Sequence, residues 1–168
     1  MEAFVEKNKL EQQLVADMLR VLKNQAKEHH VPFDYFQIES GATAIGIPDL
    51  FIMLGNKGMW VECKRFIPEY HYQTGLDASA RTVKMKGSVL FRPGQARMLS
   101  KLARYSENVA LCVLTVYNDI YVHRWGKEDG HYDAGSARYM LDVKGVTQNY
   151  VLEQFCDALG IDLSDYEQ

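Results

Sequence analysis

Apolar residues recur along this chain with two spacings, and each spacing predicts a different kind of element. Helical spacing predicts amphipathic helices over 8–28, 93–105 and 148–159. The first should end at His29-His30, because Pro32 disfavours helix in the residue before it. Shorter apolar runs bounded by turn residues predict strands over 33–38, 50–54, 59–61, 109–116, 120–124 and 139–143.

The runs over 50–54 and 59–61 flank a Gly/Asn-rich turn and predict a β-hairpin. With a loop centred on Asn56-Lys57, Asp49 is expected opposite Lys64, and Glu62 becomes its diagonal neighbour, about 7–8 Å away. Residues two apart on one strand share a face of the sheet. Asp49, Glu62 and Lys64 are therefore expected together on one face, at one end of the hairpin.

That arrangement predicts a site for metal-assisted chemistry. Two carboxylates from adjacent strands can hold a hard divalent cation through their oxygens. A lysine beside the ion can orient a water, help to deprotonate it, or neutralise charge on a phosphate. A bound divalent ion can also polarise a phosphoryl oxygen and supply a nucleophile at neutral pH.

The residues around these three positions resemble the signature of the PD-(D/E)XK nucleases. The resemblance spans roughly residues 10–124 and rests on four segments: Ser40-Gly41, Gly46-Ile47-Pro48-Asp49-Leu50, Trp60-Val61-Glu62-Cys63-Lys64-Arg65 and Arg92-Pro93-Gly94-Gln95-Ala96. The chain is similar to the stand-alone VRR-NUC branch, typical of phage and bacterial nucleases, and more loosely to archaeal Holliday-junction resolvases.

The resemblance implies an α/β fold with a restriction-endonuclease-like core. Its mixed β-sheet would contain a central hairpin flanked by helices, in the order α-β-β-β-α-β-β. The implied activity is divalent-metal-dependent hydrolysis of phosphodiester bonds in DNA. The implied partner is duplex or branched DNA, including the Holliday junction, which is bound by a homodimer. The residues 139–159 are the candidate dimer contact.

The resemblance also implies roles for individual residues. Mg²⁺ or Mn²⁺ would be held by Asp49, Glu62 and the backbone carbonyl of Cys63. Lys64 would position or activate the water, and Gln95 would support Lys64 or that water. Glu11, on the predicted first helix, is the candidate third acid, with Glu39, at the end of the first predicted strand, as the second choice.

Composition predicts one globular domain over residues 1–168. Its core would cover about 8–125, with a mobile basic insertion over 66–90 and an extension over 126–168. Three cysteines without paired spacing indicate a reducing compartment, and the charged N-terminus does not resemble a signal peptide. The longest apolar run is too short to span a membrane. We therefore expect a cytoplasmic protein of a bacterial cell or a phage-infected host, which is not secreted.

Charge is unevenly distributed along the chain. The net charge is −3, yet residues 57–101 carry nine Lys and Arg against three acids. A basic segment beside carboxylates favours a polyanion at one face. The candidate nucleic-acid contacts are Ser40, Arg65, Arg81, Lys84, Lys86 and Arg92. The stretch 66–90 is expected to be a flap without regular structure that orders on binding, or a plain disordered loop.

Three other interpretations of the same residues stay open. Glu62 and Lys64 would form an ordinary charge pair on a solvated face if the cluster were structural. A non-catalytic nucleic-acid binder would use the basic segment without hydrolysis. An accessory subunit would dock a polymerase or helicase through its acidic C-terminal half. No nucleotide-binding glycine loop and no nucleophile elbow occurs, so no nucleotide cofactor is expected.

Overall fold

The computed structural model describes residues 2–38, 46–64, 73–77, 82–86, 94–106, 109–116, 119–125, 138–141 and 151–167. The helices are α1 (Glu2–Glu28), α2 (Gln95–Tyr105) and α3 (Val151–Leu159), followed by a short 3₁₀ turn, Leu163–Asp165. The strands are β1 (Phe33–Gln37), β2 (Leu50–Leu54), β3 (Lys57–Cys63), β4 (Gln73–Asp77), β5 (Thr82–Lys86), β6 (Val109–Val116), β7 (Asp119–Arg124) and β8 (Arg138–Leu141).

The protein has the mixed α/β architecture that the sequence predicts. Its larger sheet has five strands in the order β1-β2-β3-β6-β7. The pair β3–β6 is parallel, and the other neighbours are antiparallel. Because parallel neighbours need a crossover, the chain leaves β3 at residue 63 and returns at residue 109, with α2 on the way.

The core forms where the hairpin meets the helices. Leu50, Ile52 and Leu54 alternate with half-buried residues along β2, so one face of that strand is fully buried. The helix α1 supplies buried residues at helical spacing: Leu14, Val15, Met18, Leu19, Leu22 and Ala26. The same buried cluster contains Val151, Phe155 and Leu159 of α3.

The helix α3 is a packing element of this core. It contacts α1 and β7. Two glutamines attach it to these neighbours: Gln25 accepts a hydrogen bond from the backbone N–H of Leu152 at 2.8 Å, and Gln154 accepts one from that of Val122 at 3.3 Å. The apolar face of α3 is therefore used within the chain. Among the described residues, no helix is both long and apolar enough to cross a membrane.

The register of the hairpin differs from the expected one by two residues. Leu54 pairs with Lys57, and Leu50 pairs with Val61. The turn therefore consists of Gly55 and Asn56 instead of being centred on Asn56-Lys57. Gly55 has a φ of 60° and Asn56 does not have a positive φ, which is the pattern of a type II′ turn with glycine in its first central position.

The sequence predicted no regular structure over 66–90, and this is wrong at two places, where β4 and β5 form. The strands β4 and β5 pair antiparallel, and β5 pairs with β8 in a second, three-stranded sheet. The other predicted strands are confirmed within one or two residues. The helix α1 begins well before residue 8, whereas α2 and α3 begin two and three residues after their predicted starts.

Candidate active site

Asp49 lies at the entrance to β2 and is attached to both neighbouring strands. Its Oδ2 accepts a hydrogen bond from the backbone N–H of Cys63 at 2.9 Å. Its carbonyl oxygen accepts one from the N–H of Ile38 at 2.9 Å. Continuing the observed register by one residue from the Leu50–Val61 pair places Asp49 opposite Glu62. The two acids are thus direct neighbours, closer than the diagonal pair that the sequence predicted.

Glu62, Lys64 and Gln95 form a buried polar cluster. Nζ of Lys64 lies 2.6 Å from Oε1 of Glu62. Nε2 of Gln95 donates to the same oxygen at 2.6 Å. The three residues are 1%, 3% and 9% exposed, respectively. Gln95 therefore supports the carboxylate of Glu62, whereas the sequence analysis assigned it to Lys64 or to a water.

The local structure explains why charged residues are buried here. Along β3, burial alternates near the turn but becomes continuous over Val61–Cys63 and on to Lys64. Both faces of the strand are therefore covered at its C-terminal end. Glu62 and Lys64 are two residues apart and share the face opposite to Val61 and Cys63.

Two glycines bring α2 to this end of the hairpin. Gly46 and Gly94 have φ values of 93° and 89°. A Cβ atom added to Gly46 would lie 2.6 Å from the carbonyl oxygen of Gly94 and 3.1 Å from the nitrogen of Gln95. The segment before Asp49 thus passes directly against the start of α2, which delivers Gln95 to Glu62. No sequence pattern pointed to this contact, although both glycines belong to the motif segments that carry the resemblance.

The burial of this ion pair has an energetic meaning. Lys and Glu are almost never fully buried unless they are paired. Removing both charges from water costs several kcal/mol, and their attraction often only offsets that cost. A buried pair is thus weak evidence for a stabilising role. The interpretation of Glu62 and Lys64 as an ordinary charge pair on a solvated face is wrong, because both side chains are buried.

The donor set suits a hard divalent cation. Among the described residues, the Oε2 atom of Glu62 is a buried side-chain oxygen that accepts no hydrogen bond. With Asp49 on the adjoining strand, the available donors are carboxylate oxygens, which Mg²⁺ and Mn²⁺ prefer. Within the described part of the chain, no group of three or more His, Cys, Asp or Glu could hold a metal. Glu39 lies outside the described residues, and so does the side chain of Glu11.

Two of the six predicted nucleic-acid contacts fall within the described residues. Ser40, Arg65, Arg81 and Arg92 lie outside the described residues. Lys84 and Lys86 belong to β5, where they pair in register with Met140 and Arg138 of β8.

Fold and site together define a mixed α/β protein with a buried carboxylate–lysine–glutamine cluster beside a second carboxylate, at one end of a central hairpin. The chain matches no protein-family model, and neither a curated protein nor a solved structure was found to be similar to it.

Proposed function

We propose that this protein is a divalent-metal-dependent nuclease of the PD-(D/E)XK type, with a restriction-endonuclease-like core, and that it hydrolyses phosphodiester bonds in DNA. The observation that carries the proposal is the buried contact of Lys64 and Gln95 with one oxygen of Glu62, directly beside Asp49. These are the four residues that the sequence motif assigns to the chemistry. They lie at the start of β2, at the end of β3 and at the start of α2, which are close together in the fold.

The arrangement favours hydrolysis over a purely structural role. A buried ion pair contributes little net stability, and an apolar replacement of similar volume often stabilises a protein. The chain nevertheless keeps a carboxylate, an ammonium and an amide together where water is excluded. Electrostatic interactions act most strongly in such a site, and preorganised charges stabilise the charge that develops in a transition state.

Each side chain has a definite task in this proposal. Asp49 and Glu62, with the carbonyl of Cys63, would hold Mg²⁺ or Mn²⁺. When bound, the ion supplies Lewis acidity and lowers the pKa of water. Lys64 holds the attacking water and offsets charge on the phosphate. Gln95 fixes the orientation of the Glu62 carboxylate, and the Cys63 N–H does the same for Asp49.

Branched DNA is the substrate class that we propose first. This choice rests on the resemblance of the sequence motif to that of structure-selective junction enzymes. A four-way junction has two equivalent strands to cleave, so a homodimer follows from its symmetry. Since α3 is committed to the core of its own chain, a dimer contact through that helix would use its exposed residues, such as Glu153 and Asp157.

A cleavage assay tests the proposal. Labelled single-stranded, duplex, flap and four-way-junction DNA would be incubated with Mg²⁺, Mn²⁺ or EDTA. Wild type would be compared with Glu62→Gln, and with Glu28→Gln as a control that neutralises an exposed glutamate at the end of α1. We expect metal-dependent cleavage by wild type and by the control, and none by Glu62→Gln.

Two results would contradict the proposal. Cleavage that persists in Glu62→Gln would show that the cluster takes no part in the hydrolysis. DNA binding that weakens steeply with salt, without cleavage of any substrate, would identify a non-catalytic binder instead.

A further inference from the structure

Three aromatic residues form a row across the first three strands of the larger sheet. Phe36 of β1 pairs with Phe51 of β2, and Phe51 pairs with Trp60 of β3. Directly paired residues of antiparallel strands lie on the same face. The rings of Phe51 and Trp60 meet edge to face, with their centroids 5.1 Å apart.

This row lies partly open to solvent. Phe36 is 61% exposed, and Phe51 and Trp60 are half-buried. Gly58 contributes to the shape of the surface, because a Cβ atom there would lie 2.6 Å from the Phe51 ring. The ring of Phe51 therefore lies over a glycine of the neighbouring strand. Among the described residues, the exposed large apolar side chains are Tyr35, Phe36 and Tyr105, so two of the three belong to β1.

The aromatic row lies beside the candidate active site, on the same face of the sheet. Trp60 precedes Glu62 by two residues and therefore shares its face of β3, about 7 Å further from the end of the strand. Phe36 lies two residues before Ile38, whose N–H bonds to the carbonyl of Asp49. One face thus carries the aromatic row and, one step further along the same strands, the carboxylates.

Aromatic faces on an open sheet beside a phosphate-handling site suit unpaired bases. Base stacking on aromatic side chains is sequence-tolerant and contributes at every base. Paired bases are already stacked on one another, so the interaction requires a single-stranded region. The sequence segment 57–101, which contains Trp60, carries nine Lys and Arg against three acids, and such a charge balance favours a polyanionic partner.

We propose that Phe36, Phe51 and Trp60 form a stacking surface for unpaired bases, which hold a single-stranded part of the substrate next to the scissile phosphate. This inference rests on the proposed nuclease function and narrows its substrate to nucleic acid with an unpaired stretch. The row does not overlap with the nucleic-acid contacts predicted from the sequence.

Binding in EDTA tests the stacking surface separately from cleavage. A short fluorescein-labelled oligothymidylate and its duplex with oligoadenylate would be titrated with protein, and the anisotropy recorded. The variants are Phe36→Ala, Phe36→Tyr and, as a matched control, Tyr105→Ala, which removes an aromatic ring that is 79% exposed at the end of α2. Because Phe36 is exposed, its replacement leaves the core intact.

We expect Phe36→Ala to raise the Kd for the single strand about fivefold or more. The Kd for the duplex should stay unchanged. Phe36→Tyr should restore single-strand binding, and Tyr105→Ala should leave it as in wild type. The emission of Trp60 should also fall on addition of the single strand, whereas Trp125 is fully buried.

Equal single-strand affinities of wild type and Phe36→Ala would overturn the proposal. A change of oligomeric state in Phe36→Ala, measured by analytical ultracentrifugation, with unaltered DNA binding would also overturn it, since the row would then be a contact between two copies of the chain. Failure of the nuclease proposal has a different signature, namely absence of metal-dependent cleavage by wild type, whatever the binding result.

Discussion

The ammonium of Lys64 lies 2.6 Å from Oε1 of Glu62, with both residues almost entirely removed from solvent. The same oxygen accepts the amide of Gln95. Two donors from different elements therefore fix the direction of one carboxylate. The stability of the fold and the proposed hydrolysis should both depend on this oxygen. Different substitutions test the two effects separately.

Removing the lysine charge alone should destabilise the fold. In Lys64→Met, the Glu62 carboxylate is left buried without its compensating cation, and the free energy of unfolding should fall by about 3 kcal/mol. The double variant Glu62→Gln/Lys64→Met removes both charges and should recover most of that loss. Urea denaturation at neutral pH in metal-free buffer measures both. Equal losses in the single and the double variant would show that the pair has no such coupling.

Loss of the Gln95 amide should reduce activity more than stability. Gln95→Ala frees the orientation of the Glu62 carboxylate, and the rate of metal-dependent cleavage should fall by about 10- to 100-fold. Tyr105→Ala, at an exposed position of the same helix, is the matched control and should cleave as wild type does. Similar rates for the two variants would mean that Gln95 does not orient the carboxylate.

Divalent cations should stabilise the folded protein through Asp49 and Glu62. A ligand at about 100 times its Kd adds about 2.7 kcal/mol to the free energy of unfolding. Mg²⁺ or Mn²⁺ should therefore raise the Tm of wild type. Asp49→Asn should show no such rise, although its side-chain oxygen can still accept the hydrogen bond from Cys63. Asp17→Asn, on the surface of α1, provides the control for general salt effects. An equal rise in Asp49→Asn would place the metal elsewhere.

The glycine pair beside the site should not tolerate a side chain. In Gly46→Ala, the new Cβ would overlap the carbonyl of Gly94, so the start of α2 must move and Gln95 with it. We expect both a lower Tm and lower cleavage activity. Gly160→Ala also places alanine at a positive φ, but no atom lies within 4 Å of its Cβ. That control should lose about 1 kcal/mol of stability and no activity. Full activity in Gly46→Ala would show that the contact does not position Gln95.

Cys156 should make stability depend on pH under alkaline conditions. Burial, followed by the nearby charges of Asp157 and Glu153, raises the pKa of its thiol from 9.0 to about 11. Below pH 9 the thiol is protonated in both states and has no effect. Between pH 9 and 11 the unfolded state ionises first, so the folded state loses roughly 1 kcal/mol of stability per pH unit.

The matched variant for this effect is Cys156→Ala. It leaves a small cavity at every pH but has no titrating thiol, so its stability should fall less steeply between pH 9 and 11. The comparison requires denaturation curves of both proteins over that range. Parallel curves would contradict the shifted pKa.

The apolar pattern predicted the elements of the larger sheet because burial there follows local periodicity. It could not decide the register of the hairpin. A shift by two residues leaves every side chain on the same face, so Leu50, Ile52 and Leu54 are buried in either pairing. The positive φ of Gly55 distinguishes the two registers, and that is a property of the turn.

The strands β4 and β5 escaped prediction for a different reason. The sequence of β4, Gln73–Asp77, shows no apolar alternation, and that of β5, Thr82–Lys86, alternates over only two apolar residues, Val83 and Met85, which is too short a signal to stand out. One partner of β5 is β8, which lies more than 50 residues further along the chain. Pairing between strands so far apart depends on tertiary structure, and a short window of sequence holds no signal for it.

For the candidate site, the shared face of Asp49, Glu62 and Lys64 followed from the alternation of strand residues. The partner of Gln95 did not. Its position on the buried side of α2 was predicted, but the contact with Glu62 depends on how closely Gly46 and Gly94 approach each other. Such an approach involves backbone atoms from distant parts of the chain and has no periodic signal.

The parallel pairing of β3 and β6 has a consequence for how the protein can diversify. The crossover between them begins at Lys64 and ends in the helix that starts with Gln95, so cluster residues stand near both of its ends. Loop closure entropy grows only slowly with length. Apart from the strands β4 and β5, which pair in the second sheet with β8, the crossover can therefore be lengthened or shortened while Lys64 and Gln95 keep their places. New specificities could arise by changes in this segment, without rebuilding the cluster.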